Sequence, residues 1–345
     1  MSAPASRATP RLADLAAQAR VSEATASRVL NGRAGVAAAT RQRVLAALDV
    51  LGYERPVRLR RRSAGLVGLV LPELTNPIFP AFAQIIEQSL ASHGYTPVLC
   101  TQMPGGSTED ELVEQLEERG VTGIVFLSGL HADTGADPAR YHRLRDRGVP
   151  YVLINGHRPD IPAPSVSPDD GAAARIAVRH LAALGHTRIG LAVGPARFVP
   201  SRRKADGFTA ALTEVLALPP ETAARRVRHT LFTVEGGHAA ADTLLDDGCT
   251  GLVCGSDLMA LGAVRAARAR GLPVPAAVSV VGFDDSPLIP FTDPPLTTVR
   301  QPVQAMAAAA VDTLIEEIQG HPVRHTEFVF QPELVVRGST GPAPG

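Results

Sequence analysis

The stretch LADLAAQARVSEATASRVLN, Leu12 to Asn31, holds two short helix patterns separated by a tight turn. Leu12, Leu15, Ala16 and Ala19 recur at the spacing of one helix face. Val21 and Ser22 interrupt the run, and Ser22 suits an N-cap because its hydroxyl can satisfy an orphan amide of the next turn. The second helix divides into an inward side, Ala26, Val29 and Leu30, and an open side, Glu23, Ala24, Thr25 and Arg28. Downstream, Thr40 is placed to cap a third helix whose Val44, Leu48 and Leu51 fall at i, i+4 and i+7, and Gly52 is placed to stop it. Two short helices crossing steeply over such a turn lay the second in a major groove. There Arg forks onto guanine O6 and N7, Glu accepts from cytosine N4, and Ala touches a thymine methyl.

The charge balance agrees. The chain of 345 residues has a formal net charge of zero, but the zero hides an asymmetry. Residues 1–62 carry twelve Arg against four acids (Asp14, Glu23, Asp49, Glu54), a formal +8, and the remainder carries 22 basic and 30 acidic residues, −8. A basic segment containing a helix-turn-helix pattern is the electrostatic footprint of a polyanionic partner, here double-stranded DNA. The three cysteines, Cys100, Cys249 and Cys254, show no metal spacing and read as reduced core thiols of a cytoplasmic chain. The start, MSAPASRATP, lacks the apolar core of a secretory signal, and no stretch approaches a membrane span, so no membrane partner is expected. Residues 1–9 and the tail Gly338–Gly345 read as disordered by composition.

Pro56 and five arginines, Arg55, Arg58, Arg60, Arg61 and Arg62, mark a linker. From Leu66 the texture changes to apolar runs alternating with amphipathic helices, GLVGLVLPEL, IFPAFAQIIEQSLASHGY, TPVLCTQ and so on to PYVLING. A second series runs from RIGLAVG to VSVVGFDD, and the chain finishes with PLTTVRQPV, a helix, and a strand pair in TEFVFQPELVVRG. Continuous apolar strands alternating with helices indicate parallel sheets covered on both faces. Two doubly wound units place ligand groups at the carboxyl ends of their strands, in the cleft between the units. No phosphate loop, dinucleotide fingerprint, nucleophile elbow or metal spacing appears, so no enzyme, cofactor or metal is expected. His180 and His186 read as surface or helix-end residues.

VSEATASRVLNGRAGVAAATRQRVLAALDVLGY closely resembles the DNA-binding head of the LacI/GalR family of bacterial transcription regulators. The resemblance continues in order through GLVGLVLPELTNPIFP, LGHTRIGLAVGP, RKADGF, CGSDLMALGAVRAARARGLPVP, VSVVGFDDSPL and PPLTTVRQP, covering residues 10–340. It implies an all-α helix-turn-helix head plus an α/β core of two doubly wound parallel-sheet subdomains, shaped like a periplasmic sugar-binding protein. The expected division is a disordered start 1–9, a head 10–53, an Arg-rich hinge 54–64, a core 65–338 and a tail 339–345. Within the core, an N-subdomain would take 65–163 and 287–320, and a C-subdomain 164–286 and 321–338. YTPVLCTQMPGGSTEDE, SGLHADT, ARFVPSRRKADGF and EFVFQPELVVRGST further resemble maltose and α-glucan utilisation repressors of high-GC bacteria.

The resemblance also assigns roles. It puts operator discrimination on Glu23 and Ala24, with Thr25 and Arg28 one face further on. Ser22, Ser27, Asn31, Thr40 and Arg43 would hold phosphates and register. Leu59 is the candidate minor-groove wedge of a hinge about three residues shorter than the family pattern. Effector groups map onto Asn76, Phe79, Asn155, Lys204, Phe232, Asp257 and Asp284. Phe283 is expected in the core, Asp285 as a loop cap, and Asp169 and Asp170 as caps of the following helix. Arg20 stands where the family has Gly, Ala26 where it has Val, and Lys204 where it has Arg. The expected function is a sugar-responsive repressor that binds a pseudo-palindromic operator as a homodimer and is released by a small sugar, maltose or a malto-oligosaccharide. The alternatives are a sugar-binding receptor of the periplasmic class, or a family member using its ligand as corepressor.

Overall fold

The computed structural model describes residues 11–30, 35–51, 63–102 and 105–345. Asn31, Leu59, the stop signal Gly52, the start 1–9 and most of the hinge lie outside the described residues. The chain divides into two compact units, Met1–Arg62 and Ser63–Gly345.

In the first unit, α1 (Leu12–Ala19), α2 (Glu23–Leu30) and α3 (Ala38–Leu51) enclose Leu15, Ala16, Ala19, Ala26, Val29, Val44 and Ala47. Four of these seven are alanines, so the helices approach closely, and half-buried Leu12, Val21, Leu30, Val36, Leu48 and Leu51 pack around them. Ser22 caps α2 as expected: its Oγ accepts the Thr25 N–H at 3.2 Å. Thr40 is not the cap of α3. Ala37 O accepts the first helical bonds, from Thr40 and Arg41 at 3.0 Å each, so Thr40 already sits in the first turn. Arg20 ends α1 in the left-handed region, φ 53° and ψ 51°, where its N–H bonds back to Ala16 O and Ala17 O.

The second unit begins with β1 (Gly65–Leu71), α4 (Ile78–Ser92), β2 (Tyr95–Thr101), α5 (Glu109–Glu118), β3 (Gly123–Leu127), α6 (Ala139–Asp146), β4 (Tyr151–Ile154) and β5 (Ser165–Pro168). It continues with α7 (Asp170–Ala183), β6 (Ile189–Val193), α8 (Val199–Leu216), α9 (Pro220–Ala224), β7 (Val227–His229), α10 (Val234–Asp246), β8 (Gly251–Cys254), α11 (Asp257–Ala269) and β9 (Ser279–Asp284). It closes with β10 (Thr297–Arg300), α12 (Val303–Ile318), β11 (Glu327–Phe330) and β12 (Glu333–Val335). Two six-stranded sheets result, ordered β11-β5-β4-β3-β1-β2 and β12-β10-β9-β8-β6-β7. All pairings are parallel except β10 with β12.

Each sheet is covered on both faces, which is why its strands are apolar throughout. α4 buries Ile78, Phe82, Ile86 and Leu90, one face at four-residue spacing, against β1, β3 and β4, together with Met306, Val311 and Leu314 of α12. Leu112, Leu116, Tyr141 and Leu144 of α5 and α6 cover the other face. In the second lobe α7 and α8 cover one face and α10 and α11 the other. α10 and α11 touch backbone to backbone, since a Cβ on Gly262 would stand 2.0 Å from Val234 O.

The sheet order corrects the expected subdomain boundaries. Ser165–Pro168, expected with 164–286, is a strand of the first sheet. Thr297–Arg300, expected with 287–320, belongs to the second. Glu327–Phe330, expected with 321–338, pairs with β5 in the first. The two strands of TEFVFQPELVVRG therefore do not pair with each other; each completes an edge of a different sheet. Both edges were open to a strand, and periodicity in the chain does not say which edge a strand meets.

The tail is ordered, against the reading from composition. Val280 N–H donates to Ser339 O at 2.9 Å, Thr297 N–H to Ser339 Oγ at 2.8 Å, and Ala343 N–H to Leu184 O at 2.8 Å. Main-chain pairing of this kind is indifferent to side-chain hydrophobicity, so a Gly- and Pro-rich segment meets it. His186 is not a surface residue. It is fully buried beneath the tail, with Nδ1 2.9 Å from Thr250 Oγ1 and Nε2 3.0 Å from Ser279 Oγ.

Two stability tests follow from these placements. Replacing Arg20 by Gly removes the left-handed penalty of a side chain, about 1 kcal/mol. The melting temperature of the head should rise in Arg20→Gly, and a fall would show that the Arg20 side chain stabilises the turn. His131, fully buried with Nε2 3.0 Å from Ile154 O, is pushed down by that burial from 6.5 to about 4. Its neutral form contributes stability that is complete above pH 6.5 and is lost as pH falls toward 4, because the unfolded chain takes up a proton that the native state refuses. Between those limits chemical-denaturation stability should fall more steeply in the wild type than in His131→Gln, by on the order of 2–3 kcal/mol. Parallel slopes would contradict the assignment.

Candidate functional site

On α2, Glu23, Ala24 and Arg28 are exposed while Ala26 and Val29 are buried, so the open side read from the sequence is the exposed side. Thr25 is half-buried, with Oγ1 2.9 Å from Ser22 Oγ, and Ser27 is half-buried beside it. On α3, exposed Arg43 donates to Thr40 Oγ1 at 3.4 Å. A forked donor at Arg28 and an acceptor at Glu23 thus share one exposed face with a methyl at Ala24, which is what edge recognition in a groove needs.

In the second unit the carboxyl ends of the two sheets face a cavity of about 190 Å³. The first lobe contributes Glu73, Asn76 and Phe79 after β1, Ser128 and Ala132 after β3, Asn155 after β4, and Pro168 at the end of β5. The second contributes Asp170, Phe198, Lys204, Phe232, Ser256, Phe283 and Asp284, and Gln301 lies on the passage back to the first lobe. Of the seven effector positions expected, six line this cavity: Asn76, Phe79, Asn155, Lys204, Phe232 and Asp284.

Asp257 does not. It is buried behind the wall, where its Oδ1 accepts from Thr298 Oγ1 at 2.6 Å and its Oδ2 from Ser286 N–H at 2.8 Å. Both carboxylate oxygens thus tie α11 to β10 and to the loop after β9. Asp169 caps α7, accepting the Ala172 N–H at 2.7 Å, but Asp170 is no cap. Asp170 is buried in the cavity and ion-paired to Lys204. Burial pushes the Asp170 carboxyl up, and Lys204 opposes the shift. The Lys204 ammonium also lies 3.8 Å from the centroid of the Phe283 ring, so Phe283 is both core and cavity floor. Asp285 is not a loop cap either: it accepts from Arg300 Nε at 2.7 Å and from Arg337 Nη2 at 2.6 Å.

Asp284 is buried, and that burial together with the nearby Asp257 charge pushes its carboxyl well up. Its Oδ1 accepts from Gln301 Nε2 at 2.6 Å. Asn155 donates from Nδ2 to Ser128 Oγ at 3.1 Å, which leaves Asn155 Oδ1 buried without a partner, as is Gln301 Oε1. Among the described residues six non-glycines have positive φ, and three of them are cavity residues at strand ends: Ser128 (49°), Asn155 (65°) and Asp284 (121°). Strain of this kind persists where the surrounding structure over-determines the backbone, and it gathers at binding sites.

The apolar lining is aromatic. Phe198 and Phe232 meet edge to face at 6.2 Å, and Phe232 lies where a Cβ on Gly194 would stand 2.0 Å from its ring. Phenyl faces beside buried carboxylates, amide acceptors and one ammonium suit a neutral polyol that is apolar on one side and bristles with hydroxyls at its edge. An anionic ligand would meet Asp170, Asp284 and Glu73. Sequence reading missed Glu73, Ser128, Phe198 and Gln301, which follow strand patterns, the one signal that pointed to them, and it took Asp170 for a helix cap.

Comparison with known proteins agrees on the family and on the fold. Residues 11–55 match the family model "Bacterial regulatory proteins, lacI family", and residues 178–340 match the "Periplasmic binding protein-like domain". The chain is 76% identical over 335 residues to an uncharacterised HTH-type transcriptional regulator from the aml 5' region of Streptomyces limosus, covering 97% of this chain and 95% of that protein. It is 67% identical over 338 residues to the HTH-type transcriptional regulator MalR of Streptomyces coelicolor, covering 98% of both. Among solved structures, a complex of the transcriptional regulator CelR with cellobiose matches with a TM-score of 0.72 at 33% identity, covering 96% of this chain and 99% of that one. The lac repressor dimer bound to operator and an anti-inducer matches at 0.69 and 28%, covering 97% and 100%. With a small-residue helix-turn-helix head, a two-lobed core closing on a cavity, and relatives that span both, the chain belongs to the LacI family of bacterial transcriptional regulators.

Proposed function

We propose that this regulator represses carbohydrate-utilisation genes in the cytoplasm, binds a pseudo-palindromic operator as a homodimer, and is released when a neutral α-glucoside, maltose or a short malto-oligosaccharide, occupies the cavity. The observation that carries the reading is the cavity itself, where four phenylalanines surround buried Asp284, Asn155 and the Asp170–Lys204 pair. The 67% identical relative named MalR supports maltose as the ligand, and the cellobiose complex of a 33% identical relative supports a disaccharide in the same fold. On the head, Glu23 and Ala24 choose the operator, Thr25 and Arg28 extend the contact, and Ser22, Ser27, Thr40 and Arg43 meet phosphates. Asn31 and Leu59 keep the roles that the family resemblance implies. A single head reads half a site, so a dimer follows from the operator's symmetry. Catalysis is not proposed, because Asp170 and Asp257 are consumed by Lys204, Thr298 and Ser286.

Calorimetry of the full chain against maltose, maltotriose, trehalose, cellobiose and galactose tests the ligand. Maltose or maltotriose should bind, and Asp284→Asn should weaken binding by about tenfold, the cost of losing a hydrogen bond to the buried carboxyl. In a gel shift on the DNA upstream of its own gene, the same sugar should release the wild type. Failure of every α-glucoside to bind would overturn the maltose reading, and tighter DNA binding with sugar would make the ligand a corepressor.

A further inference from the structure

SGLHADT (128–134) and ARFVPSRRKADGF (196–208) lend the cavity Ser128, Ala132, Phe198, Pro200 and Lys204. Residues between these meet one another across the cleft. Asp133 Oδ2 accepts from Arg197 Nε at 2.7 Å. Thr134 donates to Arg197 O twice, from its N–H at 2.9 Å and from Oγ1 at 2.8 Å, and Asp133 forms an antiparallel bridge with Phe198. One partner segment follows β3 in the first lobe and the other precedes α8 in the second. The chain crosses between the lobes after β5, β10 and β11, and in their sheets β3 is separated from β5 by β4, and β6 from β10 by β8 and β9. The contact is therefore no extension of the passages between the lobes.

The first-lobe half is held rigid. Buried Glu109 accepts the Leu130 N–H at 2.9 Å and is itself held by Gln102 and Tyr141. Buried Arg158 donates to Asp133 O at 2.7 Å and to Ala136 O at 2.9 Å, and Asp133 Oδ1 accepts the Gly135 N–H at 2.9 Å. The second-lobe half is one exposed arginine whose guanidinium lies 4.8 Å from the centroid of the Phe198 ring. Phe198 in turn lines the cavity and packs on Phe232.

We propose that Asp133–Thr134 and Arg197–Phe198 form a clasp that holds the two lobes shut over a bound ligand, with Phe198 transmitting occupancy of the cavity to the clasp. The ligand side of this proposal rests on the cavity being the effector site. Lobes joined by short passages cannot part on this side without breaking the bridge and the ion pair together. Because Arg197 is mostly exposed, its ion pair supplies a small, salt-sensitive share of the closure, and the two bonds to its carbonyl supply the rest.

The test uses the full chain with Arg197→Ala, Arg197→Glu and Arg197→Lys. Maltose affinity by calorimetry should fall about twofold to fivefold in Arg197→Ala, further in Arg197→Glu, and least in Arg197→Lys. High salt should shrink the difference between wild type and Arg197→Ala. Spin labels at Glu114→Cys and Glu221→Cys, in a Cys100→Ser background, report the distance between lobes without any sugar. Arg197→Glu should shift that distribution to longer distances. Identical distances and affinities in all variants would overturn the clasp. If maltose fails to bind the wild type, the effector reading falls, and the label distances still decide whether the clasp closes the lobes.

Discussion

Three short passages carry the chain between its two sheets, from β5 to α7, from β10 to α12, and from β11 to β12. Everything else about the core depends on that arrangement. Each passage leaves or enters at a carboxyl strand end, so the residues beside it, Pro168, Asp170, Asp284 and Gln301, line the cleft. Two sheets covered on both faces can offer a ligand only their loop ends, and hinging them there brings two sets of loop ends face to face.

Charge in and behind the cleft wall is then decided by pairing. Asp170 has Lys204, Asp257 has Thr298 and the Ser286 amide, and Asp284 has Gln301. Asp284 is the least compensated: it meets one amide while a second carboxylate sits near, and its carboxyl is driven up accordingly. A hydroxyl can accept from a protonated carboxyl or donate to an ionised one, so Asp284 remains a partner for a sugar in either form. Asn155 Oδ1 and Gln301 Oε1 add acceptors already desolvated, which spares a ligand part of the usual cost of stripping water from its site.

The head solves a different problem. Its core is small, and it relies on close helix contacts at alanines, a serine cap at Ser22 and a sharp turn at Arg20. The left-handed turn is needed to redirect the chain within two residues. A side chain at Arg20 makes that turn costlier than glycine would and adds one more positive charge to an already basic segment.

Local chemistry along the chain carried a good deal of this. The cap at Ser22, the exposed face of Glu23, Ala24 and Arg28, the alternation of apolar strands with helices, and six cavity residues were all legible, because each depends on neighbours a few positions away or on a motif whose order survives in the chain. The rest required the folded molecule. Asp257 and Asp285 look like cavity and loop residues in the sequence, yet their partners, Thr298, Ser286, Arg300 and Arg337, come from strands and loops further along the chain. Asp170 looks like a cap and is one half of a buried ion pair with a residue 34 positions away. The edge that β11 or β12 joins, the ordering of the tail over His186 and the meeting of Asp133 with Arg197 are likewise long-range choices. Sequence by itself determined most of the alternation of helices and strands and which residues could do chemistry. Tertiary structure alone decided which of those residues share a cavity and which spend their hydrogen bonds holding it together, because a polar side chain is assigned by whichever partner folding brings within about 3 Å.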